Sequence, residues 1–238
     1  MSHDRSHPLA AQQPVAVTSP AHGVDVWLCG LERSAVEIEA LATTLSAAET
    51  VRAKRFGTTA LRDRYVVGRA TLRTLLAARL GMPAADIAIE RGRRGRPFTP
   101  DAPTLDFNVS HTRGVAFVGM TEDGRIGVDI EHDERIVNVP GVARKFMSDA
   151  EQALLAGLDP DGQRRALLRL WTCKEAMSKA TGDALSAPFR HISVKAAKDS
   201  IVVEDGPPPY VPDEWRLAAV PMPGGFLATV ALWHGELS

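Results

Sequence analysis

The chain has 238 residues, of which 45% are hydrophobic and 24% charged, with a net charge of −1. That length allows one large domain or two small ones around a substantial core, and the charge balance excludes a global pull toward nucleic acid or anionic membrane. With only two cysteines, Cys29 and Cys173, the chain has no disulfide framework or paired-cysteine zinc pattern and suits a reducing compartment.

Residues 1 to 22 are polar, carry Pro8, Pro14 and Pro20, and are expected to form a mobile tail. The N-terminus lacks the basic and apolar regions of a signal peptide. No apolar run approaches the ~20 residues of a membrane span. A soluble, cytoplasmic protein is therefore expected. Val24 to Cys29 alternates as a strand. Ser46, followed three residues later by Glu49, opens a short helix that runs to Arg55.

Leu61 to Leu80 reads as the longest helix of this half. Leu61, Tyr65, Gly68, Leu72, Leu75 and Leu76 form its apolar stripe, and Gly81 and Pro83 end it. Ile87 to Glu90 is a possible short strand. A Gly-rich loop follows, with Arg91, Arg93, Arg94 and Arg96 crowded into it. Thr104 to Val109 and Val115 to Met120 read as strands, and Asp123-Gly124 as a turn near the midpoint.

Beyond the turn, Ile126 to Glu131 is a strand, Val142 to Phe146 a helix, Ser148 to Leu158 a helix opened by a capping box at Glu151, and Arg164 to Thr181 a long helix stopped by Gly182. Ile192 to Val194, Trp215 to Val220 and Phe226 to Trp233 complete the chain as strands. The order predicts an α+β fold of two similar-sized halves, residues 23–123 and 124–238. A ligand is expected in the cleft between them.

Two acidic segments carry the chemistry. In Gly127-Val128-Asp129-Ile130-Glu131 the strand period puts Asp129 and Glu131 on one face, Cα atoms about 6.5–7 Å apart. Such a pair can hold magnesium together with water and phosphate oxygens. Taken alone, a strand like this is more commonly a solvated acidic edge. In Trp171-Thr172-Cys173-Lys174-Glu175-Ala176, helical spacing places Leu168, Trp171, Glu175 and Lys179 in one quadrant. Glu175 then sits beside apolar surface and needs a partner. A plain Glu175–Lys179 surface pair fits the same spacing. The two segments together offer three carboxylates and the ammonium groups of Lys174 and Lys179, suited to magnesium on a polyphosphate.

Ser110-His111 ends a strand before Gly114, where His111 can donate to a phosphate; a turn bonding its own backbone is the alternative. No G-x-S-x-G elbow surrounds Ser110, which argues against a serine hydrolase. The arginine loop can hold a phosphate or an acidic protein, and few aromatics interleave to stack single-stranded nucleic acid. Cys29 and Cys173 read as packing residues.

Arg55-Phe56 with Arg62 to Arg73, Gly95-Arg96-Pro97, Phe107 to Thr112, Gly127 to Glu131 and Trp171 to Gly182 together resemble, in order and spacing, the Sfp-type branch of the 4′-phosphopantetheinyl transferase superfamily. The resemblance implies two α+β halves in a pseudo-twofold arrangement, with coenzyme A in the cleft between them. The adenine and 3′-phosphate lie on the N-terminal side, magnesium and pyrophosphate on the C-terminal side. A serine hydroxyl of an apo carrier protein attacks the β-phosphate, and 3′,5′-ADP leaves.

Asp129, Glu131 and Glu175 match the magnesium-binding acids, with manganese as an alternative ion. Lys179 matches a lysine on the pyrophosphate, and Glu175, Lys179 and Asp129 are the catalytic group it implies. His111 matches a phosphate-binding histidine with Ser110 beside it. Gly95, Arg96 and Pro97 match a segment near the adenine and 3′-phosphate, with Arg96 in place of the usual lysine. Arg52 and Arg64 match basic positions near the 3′-phosphate, and Glu151 aligns with an acid considered as a base. The implied partners are coenzyme A and an acidic acyl or peptidyl carrier protein, with no nucleic acid or membrane, and the implied state is a monomer. A non-catalytic binding homologue and an unrelated magnesium-dependent nucleotide hydrolase are the rival readings.

Overall fold

A computed structural model describes residues 14–92, 94–196 and 201–236. Strands β1 (Val15–Val17), β2 (Val24–Gly30), β5 (Asp106–Thr112) and β6 (Val115–Thr121) form an antiparallel sheet in the order β1-β2-β6-β5. Helices α1 (Ala35–Ala42), α2 (Ala47–Ala53) and α3 (Thr59–Leu80) belong to the same half, as does the small hairpin of β3 (Glu90–Arg91) and β4 (Pro97–Phe98). Strands β7 (Arg125–His132), β8 (Ser193–Ala196), β9 (Ile201–Asp205), β10 (Trp215–Val220) and β11 (Phe226–Trp233) form a second sheet, ordered β7-β11-β10-β9-β8. Helices α4 (Val139–Phe146), α5 (Asp149–Ala156) and α6 (Pro160–Thr181) complete it.

The layers follow from strand alternation. In β11, Val230 and Leu232 face the first sheet and pack with Val26, Leu28, Phe117, Val128 and Ile130. Ala231 and Trp233 face the other way, onto Leu170, Cys173 and Ala176 of α6. On the opposite side, Val67, Ala70 and Leu76 of α3 pack on Phe107, Ala116 and Val118. The stack is therefore helix, sheet, sheet, helix, and each half lays a 22-residue helix on the outer face of its own sheet. This is the α+β, two-part architecture expected.

Several boundaries move. Val15–Val17, expected within a tail over residues 1–22, pairs instead with Val26–Leu28 of β2; residues 1–13 of that expected tail lie outside those described. Arg93 lies outside them too. Helix α1 was not expected, although Ser34 and Glu37 form a complete capping box. Strand β9 was also unexpected. Strand β5 continues through Ser110, His111 and Thr112 instead of ending at Val109.

The stripe on α3 divides. Leu61, Tyr65, Gly68 and Leu72 line a cavity, and Leu72 also joins Val66, Val67, Ala70 and Leu76 in the buried core. No helix among the described residues is long and apolar enough to cross a membrane.

The two sheets meet along β5 and β7, which run side by side without main-chain pairing. Alternate side chains of β5 bridge the gap instead. Asp106 accepts from the Ile126 amide at 3.0 Å and Asn108 from the Val128 amide at 3.1 Å. Ser110 donates to Asp129 at 2.7 Å and Thr112 to Glu131 at 3.1 Å. The first two bonds satisfy buried amides of β7, and the last two tie the acids of β7 to the neighbouring strand.

Candidate active site

Strand β7 and helix α6 bring the expected acids to one place. Arg125, Gly127, Asp129 and Glu131 share the face of β7 that α6 covers. The approach is close: a Cβ on Gly127 would fall 1.8 Å from the Ala176 carbonyl oxygen. Only glycine fits there, and the contact seats α6 against the strand beside Asp129.

Lys179 reaches back from the last turn of α6. Its Nζ donates to Asp129 Oδ1 at 2.6 Å, to Ser110 Oγ at 2.9 Å and to the Val128 carbonyl at 3.2 Å. Asp129 is 5% exposed, and its second oxygen, Oδ2, is buried without a hydrogen-bond partner. Such an orphan acceptor is costly unless something polar arrives to use it. Glu131 is half-buried and is bridged by Thr112 and Arg135.

The Glu175 carboxyl is pushed up from its usual value of 4.5, first by burial and then by the charges of Asp129 and Glu131, with Lys179 opposing. Burial raises Glu131 as well, and Asp129 adds to the rise against Arg135. Glu175 thus feels the charges of both strand acids. Among the described residues, however, no three His, Cys, Asp or Glu side chains converge tightly enough to form a ready-made metal cage. One turn before Glu175, Trp171 and Leu168 line an apolar pocket of about 170 Å³ with Arg135, Val142 and Phe146.

His111 connects this centre to a second space. A cavity of about 540 Å³ lies between α3 and β5, lined in part by Arg52, Arg64, Arg91, Pro97 and His111. The His111 ring opens to solvent at the cavity, but surrounding protein and Lys179 hold its pKa below the usual 6.5, with Asp129 opposing. Arg52 lies over the Tyr65 ring at 5.6 Å. Arg69, also in the wall, is tied with Arg73 to the carboxylate of Glu49.

Other expectations change. Arg96, expected at the coenzyme, turns its guanidinium into the seam between the halves, where it meets Asp106, Ile126 and Lys179. Gly95 has φ +77° and accepts from Arg91, which bends the loop. Lys174 is not the second ammonium of the cleft. Successive helix positions diverge by about 100°, so Lys174 points away from the Glu175 side, is 0% exposed, and donates to Glu151 and to the carbonyls of Phe146, Phe189 and Ile192.

Glu151 is fully engaged by Lys174, the Ser148 amide and the Val194 amide, which leaves it no role as a base. Burial lifts the thiols of Cys29 and Cys173 to about 12, as suits packing residues. Sequence reasoning missed Asp106, Asn108 and Thr112; their spacing of two, in phase with Ser110, was the available signal. It also missed Arg135, four residues beyond Glu131.

An acid-lined centre beside an arginine-lined cavity, at the junction of two α+β halves, defines the class. A family profile described as the 4′-phosphopantetheinyl transferase superfamily matches residues 125–220, and one described as the 4′-phosphopantetheinyl transferase N-terminal region matches residues 32–122. The chain belongs to the 4′-phosphopantetheinyl transferase superfamily.

Among individual relatives it is similar to 4′-phosphopantetheinyl transferase HetI of Nostoc sp. (strain PCC 7120), 30% identical over 93% of this chain and 96% of the relative. It is also similar to 4′-phosphopantetheinyl transferase ffp of Bacillus subtilis, 30% identical over 74% and 77%. A third is 4′-phosphopantetheinyl transferase Sfp of Bacillus subtilis strain 168, 30% identical over 63% and 65%.

Proposed function

We propose that this chain transfers the 4′-phosphopantetheine group of coenzyme A to a serine of an apo acyl or peptidyl carrier protein, releasing 3′,5′-ADP. The observation that carries the reading is the Lys179–Asp129 pair with its unpartnered buried Oδ2, set beside Glu131 and Glu175 and next to a cationic cavity.

In this reading Arg52 and Arg64, with Arg91, attract the 3′-phosphate end of the coenzyme into the cavity. Pro97 lines its wall near the adenine, on the loop that Gly95 bends. His111 and Ser110 meet the diphosphate where the cavity joins the acids. Lys179 stands between Asp129 and the incoming diphosphate and neutralises charge as it develops on the leaving oxygens. The serine oxygen bonds to the β-phosphorus as the bond from that phosphorus to the bridging oxygen breaks, and the bridging oxygen leaves with 3′,5′-ADP. Glu175, its carboxyl held above the usual range, takes the serine proton directly or through water.

The donor set suits a hard divalent cation. It is all oxygen, and it includes an orphaned buried carboxylate oxygen; magnesium commonly takes only one or two carboxylates and completes its shell with water and substrate phosphates. Asp129, Glu131 and Glu175 would hold magnesium, or manganese in its place. When bound, it would supply charge neutralisation at the two phosphates. An acidic carrier protein fits the cationic arginine surfaces, and a cytoplasmic monomer fits the expectations from sequence.

Mass spectrometry of an apo carrier protein incubated with coenzyme A tests the reading. We expect a gain of about 340 Da on one serine, the mass of the transferred group. An unchanged carrier overturns transfer, and phosphate release without carrier points to a hydrolase. EDTA is expected to stop the gain and added magnesium to restore it; full activity in metal-free buffer removes the metal.

A further inference from the structure

We infer that Arg96 is a positioning residue for the transfer reaction: it fixes the C-terminal end of α6, and with it Lys179, and does not hold coenzyme A. The inference rests on the role of Lys179 proposed above. The Arg96 guanidinium is buried in the seam. It meets both carboxylate oxygens of Asp106 at 2.7 and 2.6 Å and the Ile126 carbonyl at 2.5 Å, and it donates to the Lys179 carbonyl.

Those acceptors come from three elements: β5, β7 and α6. The carbonyls in the last turn of a helix lack partners within the helix, so Arg96 satisfies the carbonyl of the very residue whose ammonium faces Asp129. Asp106 closes the ring by accepting the Ile126 amide at 3.0 Å. A single side chain thus joins the acid strand, its neighbour across the seam and the end of the catalytic helix.

The surrounding loop supports the same reading. Arg94 pairs with Asp183, just beyond α6, at 2.5 Å. A Cβ on Gly182 would lie 3.2 Å from the Arg94 Cβ and 3.9 Å from the Arg96 Cβ, so the loop lies directly on the helix end. Cations there also suit the helix dipole. The next residue, Pro97, lines the cavity, whereas Arg96 is not among its lining residues. The guanidinium divides the contacts, with Nη2 on Asp106 and the Ile126 carbonyl and Nη1 on the Lys179 carbonyl, a planar fork that the single nitrogen of lysine does not reproduce. The arginine in place of the family's usual lysine therefore has a structural reason in this chain.

The test measures steady-state transfer to an apo carrier protein, with calorimetry for coenzyme A, on Arg96→Lys and Arg96→Gln. A displacement of about 1 Å at a catalytic group costs up to about 10²-fold, and we expect kcat to fall by 10- to 100-fold on that basis. The KM and Kd for coenzyme A are expected to stay within about two-fold of wild type, the mark of an interaction that acts on turnover alone.

A rise in KM and Kd with kcat kept would overturn the inference and return Arg96 to the coenzyme. Wild-type kinetics in both variants would overturn it as well. Should Arg96→Gln fail to fold, Arg96→Lys keeps the charge and decides. Lys179→Ala separates the two readings. Wild-type kcat in that variant removes the site proposal and this role with it; a dead Lys179→Ala beside an Arg96→Lys with unchanged kcat removes this role alone.

Discussion

Helix α6 carries two lysines, five residues apart, each paired with a carboxylate, and the pairs have opposite characters. Lys174 and Glu151 are sealed. Nζ has four oxygen acceptors, and the Glu151 carboxylate accepts from Lys174 and two backbone amides. Burial pulls the Lys174 pKa down against the pull of Glu151, and the complete set of bonds holds the pair. Lys179 and Asp129 have a similar Nζ–carboxylate distance, 2.6 Å in each case, but one Asp129 oxygen is left without a partner. An ion pair does not by itself mark chemistry. What distinguishes the cleft pair is unfinished bonding next to open space.

Either pair can be removed by substitution, with opposite consequences. The largest effect is expected from Asp129→Ala: loss of transfer by about 10³-fold or more, the scale of removing a group that stabilises transition-state charge. Its circular dichroism and unfolding midpoint should stay near wild type, and normal turnover of an apo carrier would sink the contrast. Glu151→Ala should do the reverse. Breaking a buried pair costs about 3–5 kcal/mol, visible as a lower denaturant midpoint, while the folded fraction keeps its KM for coenzyme A.

His111→Ala sharpens the boundary between cavity and acids. Loss of one charge-assisted bond, about 1.5–3 kcal/mol, should weaken coenzyme A by roughly 10- to 100-fold in calorimetry. An unchanged Kd would remove His111 from the phosphate.

The smallest stability effect is expected from Glu175→Gln, and its sign is informative. A carboxyl whose folded-state pKa is raised adds stability while protonated. That contribution is complete below the ordinary value of 4.5 and is lost as pH rises through the raised value. At neutral pH the ionised Glu175 is therefore a burden on the fold. Gln should melt slightly higher than wild type there, yet transfer by about 10²–10⁴-fold more slowly. A lower midpoint at neutral pH would show that Glu175 is held by bonds as Glu151 is.

Much of this was readable from local rules. Ser46 and Ser148 cap their helices as their spacing with Glu49 and Glu151 predicts, and Gly81 and Gly182 end α3 and α6 in left-handed geometry. The acids of β7 and α6 followed from periods of two and 3.6. The unread parts depend on distant partners. Nothing near Lys174 announces that its acceptors lie on α4, α5 and the segment before β8. The seam was missed because it replaces main-chain pairing with the side chains of Asp106, Asn108, Ser110 and Thr112, and their acceptors and donors are about 20 residues away.

The glycine of the acid strand has a meaning that its neighbours conceal. Gly127 is no hinge or turn; it is a spacer whose missing methyl sets how thick the protein is between strand and helix. Even alanine would wedge the two apart and widen the gap that Lys179 spans. The reach of the reacting groups is therefore set by an atom that is not there, and anyone re-engineering this scaffold for larger donors would start by tuning that thickness before touching a charge.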